Sequence, residues 1–107
     1  MLHYKVVLEG NILREHSIIY IEIERQIDFY YQMQQIEKHF ELLLNMDGIM
    51  SARHQFELGH VHDISHKPFS FGGGILYLHT NQGVFSYKIQ DNPSLFIDAF
   101  KTLKEKN

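Results

Sequence analysis

The residues best equipped for chemistry are the histidines, eight in a chain of 107, four of which (His54, His60, His62 and His66) fall close together with Asp63. Imidazole nitrogens and carboxylates are the usual ligands of zinc and similar divalent ions, and side chains two residues apart on a strand share a face. His60, His62 and His66 are therefore the candidate ligands of a divalent-metal site. His54 or Asp63 would complete the three or four convergent ligands that such a site needs. The plain alternative is a set of solvated or hydrogen-bonded histidines.

Other chemistry finds little support. The run Gly72-Gly73-Gly74 invites comparison with phosphate-cradling loops, but those lead into a helix, and a β-rich run follows here with no Lys-Ser or Lys-Thr pair. It reads as a tightly bent lead into a hairpin. The chain has no cysteine, no Gly-x-Ser-x-Gly elbow and no His-Glu-x-x-His pattern. Glu22 and Glu24 lie at an element boundary, where solvation is the ordinary reading. No residue is assigned a catalytic or cofactor-binding role, and the expectation is a non-enzymatic protein.

Several elements must position these residues. Leu2, Tyr4, Val6 and Leu8 alternate with polar neighbours before Gly10-Asn11, the pattern of a half-buried strand and a turn. His16 to Ile23, with Ile19, Ile21 and Ile23 on one face, predicts a second strand paired to the first. From Glu24 to Met46 the steps become three and four, through Phe29, Met33, Ile36, Phe40 and Leu43, which predicts one long helix closed by Asp47-Gly48. Ala52, His54, Phe56 and Leu58 then alternate as a strand ending at Gly59. The phase breaks between His60 and Pro68, which is either a bulged continuation or a short separate strand. Ile75–His79 and Val84–Ile89 around Thr80-Asn81-Gln82-Gly83 form a hairpin. Asn92, Pro93 and the stripe Leu95, Phe96, Ala99, Phe100 and Leu103 announce a C-terminal helix.

The expected architecture is thus α+β: an antiparallel sheet of five to six strands with a long central helix and a C-terminal helix, in the order β-β-α-β-(β)-β-β-α, as one domain over 1–107. A hydrophobic content of 44% supplies a core, and a formal net charge of −3 gives no footprint for nucleic acid. Absence of cysteine and of an apolar signal region points to the cytoplasm, and no segment reaches the length of a membrane span. Ile27 and Tyr31 lie off the main stripe of the long helix. Its apolar surface is wider than one sheet face needs, which suggests a homo-oligomer or a groove for a protein partner. A ligand pocket between sheet and helix would also use these aromatics.

The second half of the chain resembles the closing portion of bacterial pleckstrin-homology-like domains. The segments that carry the likeness are Val61-His62-Asp63-Ile64-Ser65, Gly74 to Thr80, Gly83 to Tyr87, and Pro93 to Phe100. In that family an I-x-D-I type strand, a hairpin and a C-terminal helix finish the barrel, and a run of strands opens it. The helix expected over Glu24 to Met46 departs from that opening. Members that bind phosphoinositides carry a basic cluster in the first hairpin loop, whereas Glu9-Gly10-Asn11 offers none, so inositol-lipid recognition is not expected. The resemblance implies a protein-interaction or scaffold module, often self-associating.

Overall fold

The computed structural model describes residues 16–105. The strand expected over Leu2–Leu8 lies outside them. Within them the chain forms one antiparallel sheet of seven strands and a single C-terminal helix: β1 (His16–Ile27), β2 (Met33–Asn45), β3 (Gly48–Met50), β4 (Gln55–Glu57), a 3₁₀ turn (Leu58–His60), β5 (Val61–Pro68), β6 (Gly74–Thr80), β7 (Gly83–Ile89) and α1 (Ser94–Glu105). The strand order is β4-β3-β2-β1-β7-β6-β5. Two meanders, β1–β4 and β5–β7, meet where β1 pairs with β7, through Tyr20 with Ile89 and Ile21 with Lys88.

This corrects the expected order. No helix spans Glu24 to Met46: the segment is the end of β1, a turn, and β2. The three-and-four spacing of Phe29, Met33, Ile36, Phe40 and Leu43 coexists with a period of two in Phe40, Leu42 and Leu44, and the core selects the latter. Leu42 and Leu44 are fully buried, whereas Phe29 and Met33 are 88% and 62% exposed. A helix would have turned all five to one side. The hairpin turn carries no glycine. Asp28 makes it instead, its Oδ1 accepting the N–H groups of Tyr30 and Gln32, while Tyr31 takes the left-handed conformation at φ 62°.

The Asp47-Gly48 pair expected to end that helix is the turn from β2 into β3. Asn45 Oδ1 accepts the N–H groups of Asp47 and Gly48. Gly48 has φ 150°, and a Cβ there would overlap the carbonyl oxygen of Phe56 on β4, so glycine is what lets these strands approach. The strand expected over Ala52–Leu58 shrinks to Gln55–Glu57, because Ser51 folds the preceding residues into a loop by accepting the N–H groups of Arg53 and His54.

The second half follows the sequence closely. The register of β5 on β6 shifts between Val61 and Asp63, which is the phase break, and β6 and β7 pair from Gly74 with Ile89 to Thr80 with Gly83. Asn92 Oδ1 accepts the Ser94 N–H and starts α1. The helix buries Phe96 and Phe100 on a core built from Ile18, Tyr20, Leu42, Leu44, Leu76, Leu78 and Ile89, among others. Leu95, expected in that stripe, faces outward. No helix among the described residues is long and apolar enough to cross a membrane.

Candidate interaction site: an unsupported hairpin arm

Beta-1 and β2 stay in register over their whole length, from His16 with Leu44 to Ile27 with Met33. Their neighbours do not follow them. Beta-7 accompanies β1 only at Tyr20 and Ile21, and β3 accompanies β2 only from Leu43 to Asn45. Residues 22–38 therefore carry a two-stranded ribbon away from the seven-stranded body, and the described residues measure 56 × 29 × 28 Å along their principal axes.

The two faces of this arm differ. Cross-strand partners share a face, so the side continuing the core reads Tyr20–Phe40, Glu22–Lys38, Glu24–Ile36 and Gln26–Gln34. It is closed by ion pairs: Lys38 Nζ lies 2.9 Å from Glu24 Oε1, and Arg53 in the β3–β4 loop donates to both carboxylate oxygens of Glu22. The Arg53 contact holds the Glu22 carboxyl below its ordinary pKa and ties the base of the arm to the body. The opposite side reads Ile19, Ile21, Ile23, Arg25 and Ile27 along β1, with Glu41, His39, Glu37, Gln35 and Met33 facing them.

At the far end Ile27, Phe29, Tyr30, Tyr31 and Met33 are all exposed, the three aromatics by 88%, 76% and 90%. The rings of Phe29 and Tyr30 meet edge to face, and Ile27 and Met33 are cross-strand partners. Three rings exposed to this degree present on the order of 500 Å². That is already at the upper end of the largest apolar patch on an ordinary monomer, before Ile27 and Met33 are added. The excess apolar surface read from Ile27 and Tyr31 is thus present, on a hairpin tip rather than a helix.

The candidate histidines are set on more than one element. His60 ends the 3₁₀ turn with Nε2 3.8 Å from Glu57 Oε1, and His62 is exposed at the bulge that separates Val61 from Asp63. That bulge removes the regular two-residue step on which a shared face depended. His66 is half-buried opposite Leu76, and His54 stacks on Phe56 and meets the Phe85 ring at a tilt. His79, not singled out from the sequence, places Nε2 2.7 Å from Ser65 Oγ. Among the described residues no three His, Asp or Glu side chains stand where they could hold one metal ion. The Gly72-Gly73-Gly74 run bends the chain into β6, with Gly72 and Gly73 at φ 105° and 73°.

Two recesses lie elsewhere on the surface. An open groove of about 860 Å³ runs between the β2–β3 turn, β4 and Lys104, whose Nζ donates to the Leu58 carbonyl. A smaller notch of about 170 Å³ opens where β1 leaves β7, lined by Tyr20, Glu22, Ser51, His54, Phe85 and Tyr87 among others. Tyr87 is buried against Tyr20, and its hydroxyl has no hydrogen-bond partner among the described residues. Burial pushes its pKa up, the nearby Ser51 hydroxyl drawing it the other way. Compared with known proteins, no family model, no curated protein and no solved structure matches this chain.

Proposed function

We propose that this chain is a non-enzymatic protein-interaction module of the cytoplasm that acts through the β1–β2 arm and associates with copies of itself. The observation that carries the reading is the arm's tip, where Ile27, Phe29, Tyr30, Tyr31 and Met33 stand in solvent with no core beneath them. Apolar surface of this extent is costly to leave wet and is the usual mark of a contact with another protein.

A pleckstrin-homology-like architecture fits the same reading. The feature that set the sequence apart from that family was a helix in the first half, and a run of strands stands there instead, before three further strands and a C-terminal helix. Recognition of inositol lipid or nucleic acid gains no support from the arm. Between residues 22 and 41 it carries Glu22, Glu24, Asp28, Glu37 and Glu41 against Arg25 and Lys38.

Size-exclusion chromatography with light scattering tests the proposal. The wild-type chain is expected above its monomer mass of 12.7 kDa at micromolar concentration, and Phe29→Ser with Tyr31→Ser is expected to weaken the association without loss of fold. A wild-type protein that stays strictly monomeric across that range would overturn it.

A further inference from the structure

The arm has a second unusual property, in its backbone. Beta-2 is flanked by β1 on one side and, from Met33 to Leu42, pairs with no other strand among the described residues. At about 3.3 Å per residue this free edge is roughly 33 Å long. Its register against β1 is unbroken, and it contains no proline. An edge so regular is a template for another strand, which most proteins blunt with bulges, prolines or several lysines. Lys38 is the single lysine along it.

The direction of the free groups follows from the two turns. Asp28 N–H donates to the Gln32 carbonyl across the first, so even-numbered residues of β2 turn their backbone groups toward β1. Asn45 and Gly48 close the second as partners, which requires Asn45 and its odd-numbered predecessors to turn theirs the other way. Met33, Gln35, Glu37, His39 and Glu41 therefore offer N–H and C=O outward.

We infer that two copies of this chain pair antiparallel along the outer edges of β2, about a two-fold axis at Lys38, so that two arms merge into one four-stranded sheet. The inference rests on the interaction-module reading and specifies its partner and geometry. A regular ladder pairs outward-facing residues with outward-facing residues, so the two-fold axis must pass through a residue opposite itself.

Charge and apolar matching select which residue. With Lys38 on the axis, Glu37 faces His39 of the second copy, Ile36 faces Phe40, Gln35 faces Glu41 and Gln34 faces Leu42, and each match occurs twice. The two Lys38 ammonium groups meet at the centre, each already held by its own Glu24 at 2.9 Å. An axis at Glu37 would oppose two carboxylates and set Ile36 against Lys38. An axis at His39 would set Glu37 against Glu41. An axis at Ile36 avoids these clashes but shortens the ladder from residues 34–42 to residues 33–39. Pairing at Lys38 also supplies the missing support, because a two-stranded ribbon is marginal in water and a four-stranded one is not. An anionic bilayer is the less suitable occupant, given the excess of carboxylates along the arm.

The chain contains no cysteine, so single cysteines report the register directly. In the Lys38→Cys variant the two sulfurs meet at a pair whose Cα atoms stand about 4.5 Å apart, within disulfide range. Mild oxidation is expected to convert it to a covalent dimer of twice 12.7 kDa. Gln35→Cys is expected not to cross-link, since its two copies would be offset by about 20 Å along the ladder. Glu37→Pro removes an outward donor while leaving the β1–β2 ladder whole, and is expected to halve the solution mass with an unchanged circular dichroism spectrum. A wild-type dimer whose Lys38→Cys variant resists cross-linking, or whose Gln35→Cys variant cross-links instead, overturns the edge pairing and leaves the module reading standing. A wild-type monomer overturns both.

Discussion

Leu42 and Phe29 make opposite demands on the two ways of folding residues 24–46, and replacing each by alanine separates them. In a long helix Phe29 would lie on the buried stripe and Leu42 about 140° around the axis from it, on the other face. In the hairpin Leu42 is fully buried beside Leu44 and Leu76, whereas Phe29 is 88% exposed at the tip. Leu42→Ala removes about three methylene equivalents at roughly 0.8 kcal/mol each and leaves a cavity that the strands around it fill only in part. The expected loss is about 3–4 kcal/mol. For a chain of 107 residues the unfolding entropy is about 0.22 kcal/mol/K, so the midpoint should fall by roughly 13–18 °C. Phe29→Ala should stay within about 0.5 kcal/mol, or about 2 °C. Scanning calorimetry at submicromolar concentration, with urea titrations to check that the m-value is constant, keeps self-association out of the comparison. Equal losses at the two positions, or a larger one at Phe29, would refute the hairpin and with it the arm.

Tyr87→Phe should leave stability at neutral pH unchanged or raise it by up to about 1 kcal/mol, because it deletes a buried hydroxyl that has no hydrogen-bond partner among the described residues. The same variant should lose an alkaline dependence. With its folded pKa raised, Tyr87 contributes stability that is whole below about pH 10, the unfolded value, and that is lost as pH climbs toward the folded one. Urea titrations between pH 8 and 11 check both statements, and a variant weaker than wild type at pH 8 would show that the hydroxyl is satisfied after all. Zinc in tenfold excess should leave the melting temperature where it was, since His60, His62 and His66 are spread over a turn, a bulge and a half-buried strand position. A rise that His62→Ala abolished would reinstate them as ligands.

Where local signals and tertiary burial agreed, the fold was legible. The β6–β7 hairpin had its glycine, β5 its broken phase, and α1 its Asn92 cap, and each is found in place. The first half misled for a physical reason. The turn at residues 28–32 lacks glycine and proline, and puts a tyrosine where a left-handed glycine is customary, so nothing in it interrupted the apparent helical period. Asp28 was the available signal, as a residue that can accept N–H groups from the next few residues. The tip residues strengthened the error, because exposed Phe29 and Met33 completed a three-and-four stripe that belongs to no core. The candidate surface was half legible: Ile27 and Tyr31 were visible as surplus, but only the parting of β1 from β7 and of β2 from β3 shows that they stand at the end of an arm.

That parting uncouples the arm's length from the rest of the molecule. Every core contact of β1 and β2 is made by residues up to Ile21 and from Phe40 onward, so the ribbon between them is free to lose or gain residues without repacking anything. The alternation of faces preserves the tip's orientation only in steps of two residues on each strand; a step of one beyond Glu22 and Lys38 would carry Ile27 and Met33 to the opposite side while leaving the clamp at Arg53 in place. Reach is therefore an adjustable quantity in this architecture, quantised by the pleat at about 7 Å per step. A chain shortened from both strands to Glu22 and Lys38 and joined by Asn-Gly would keep the body and forfeit the reach.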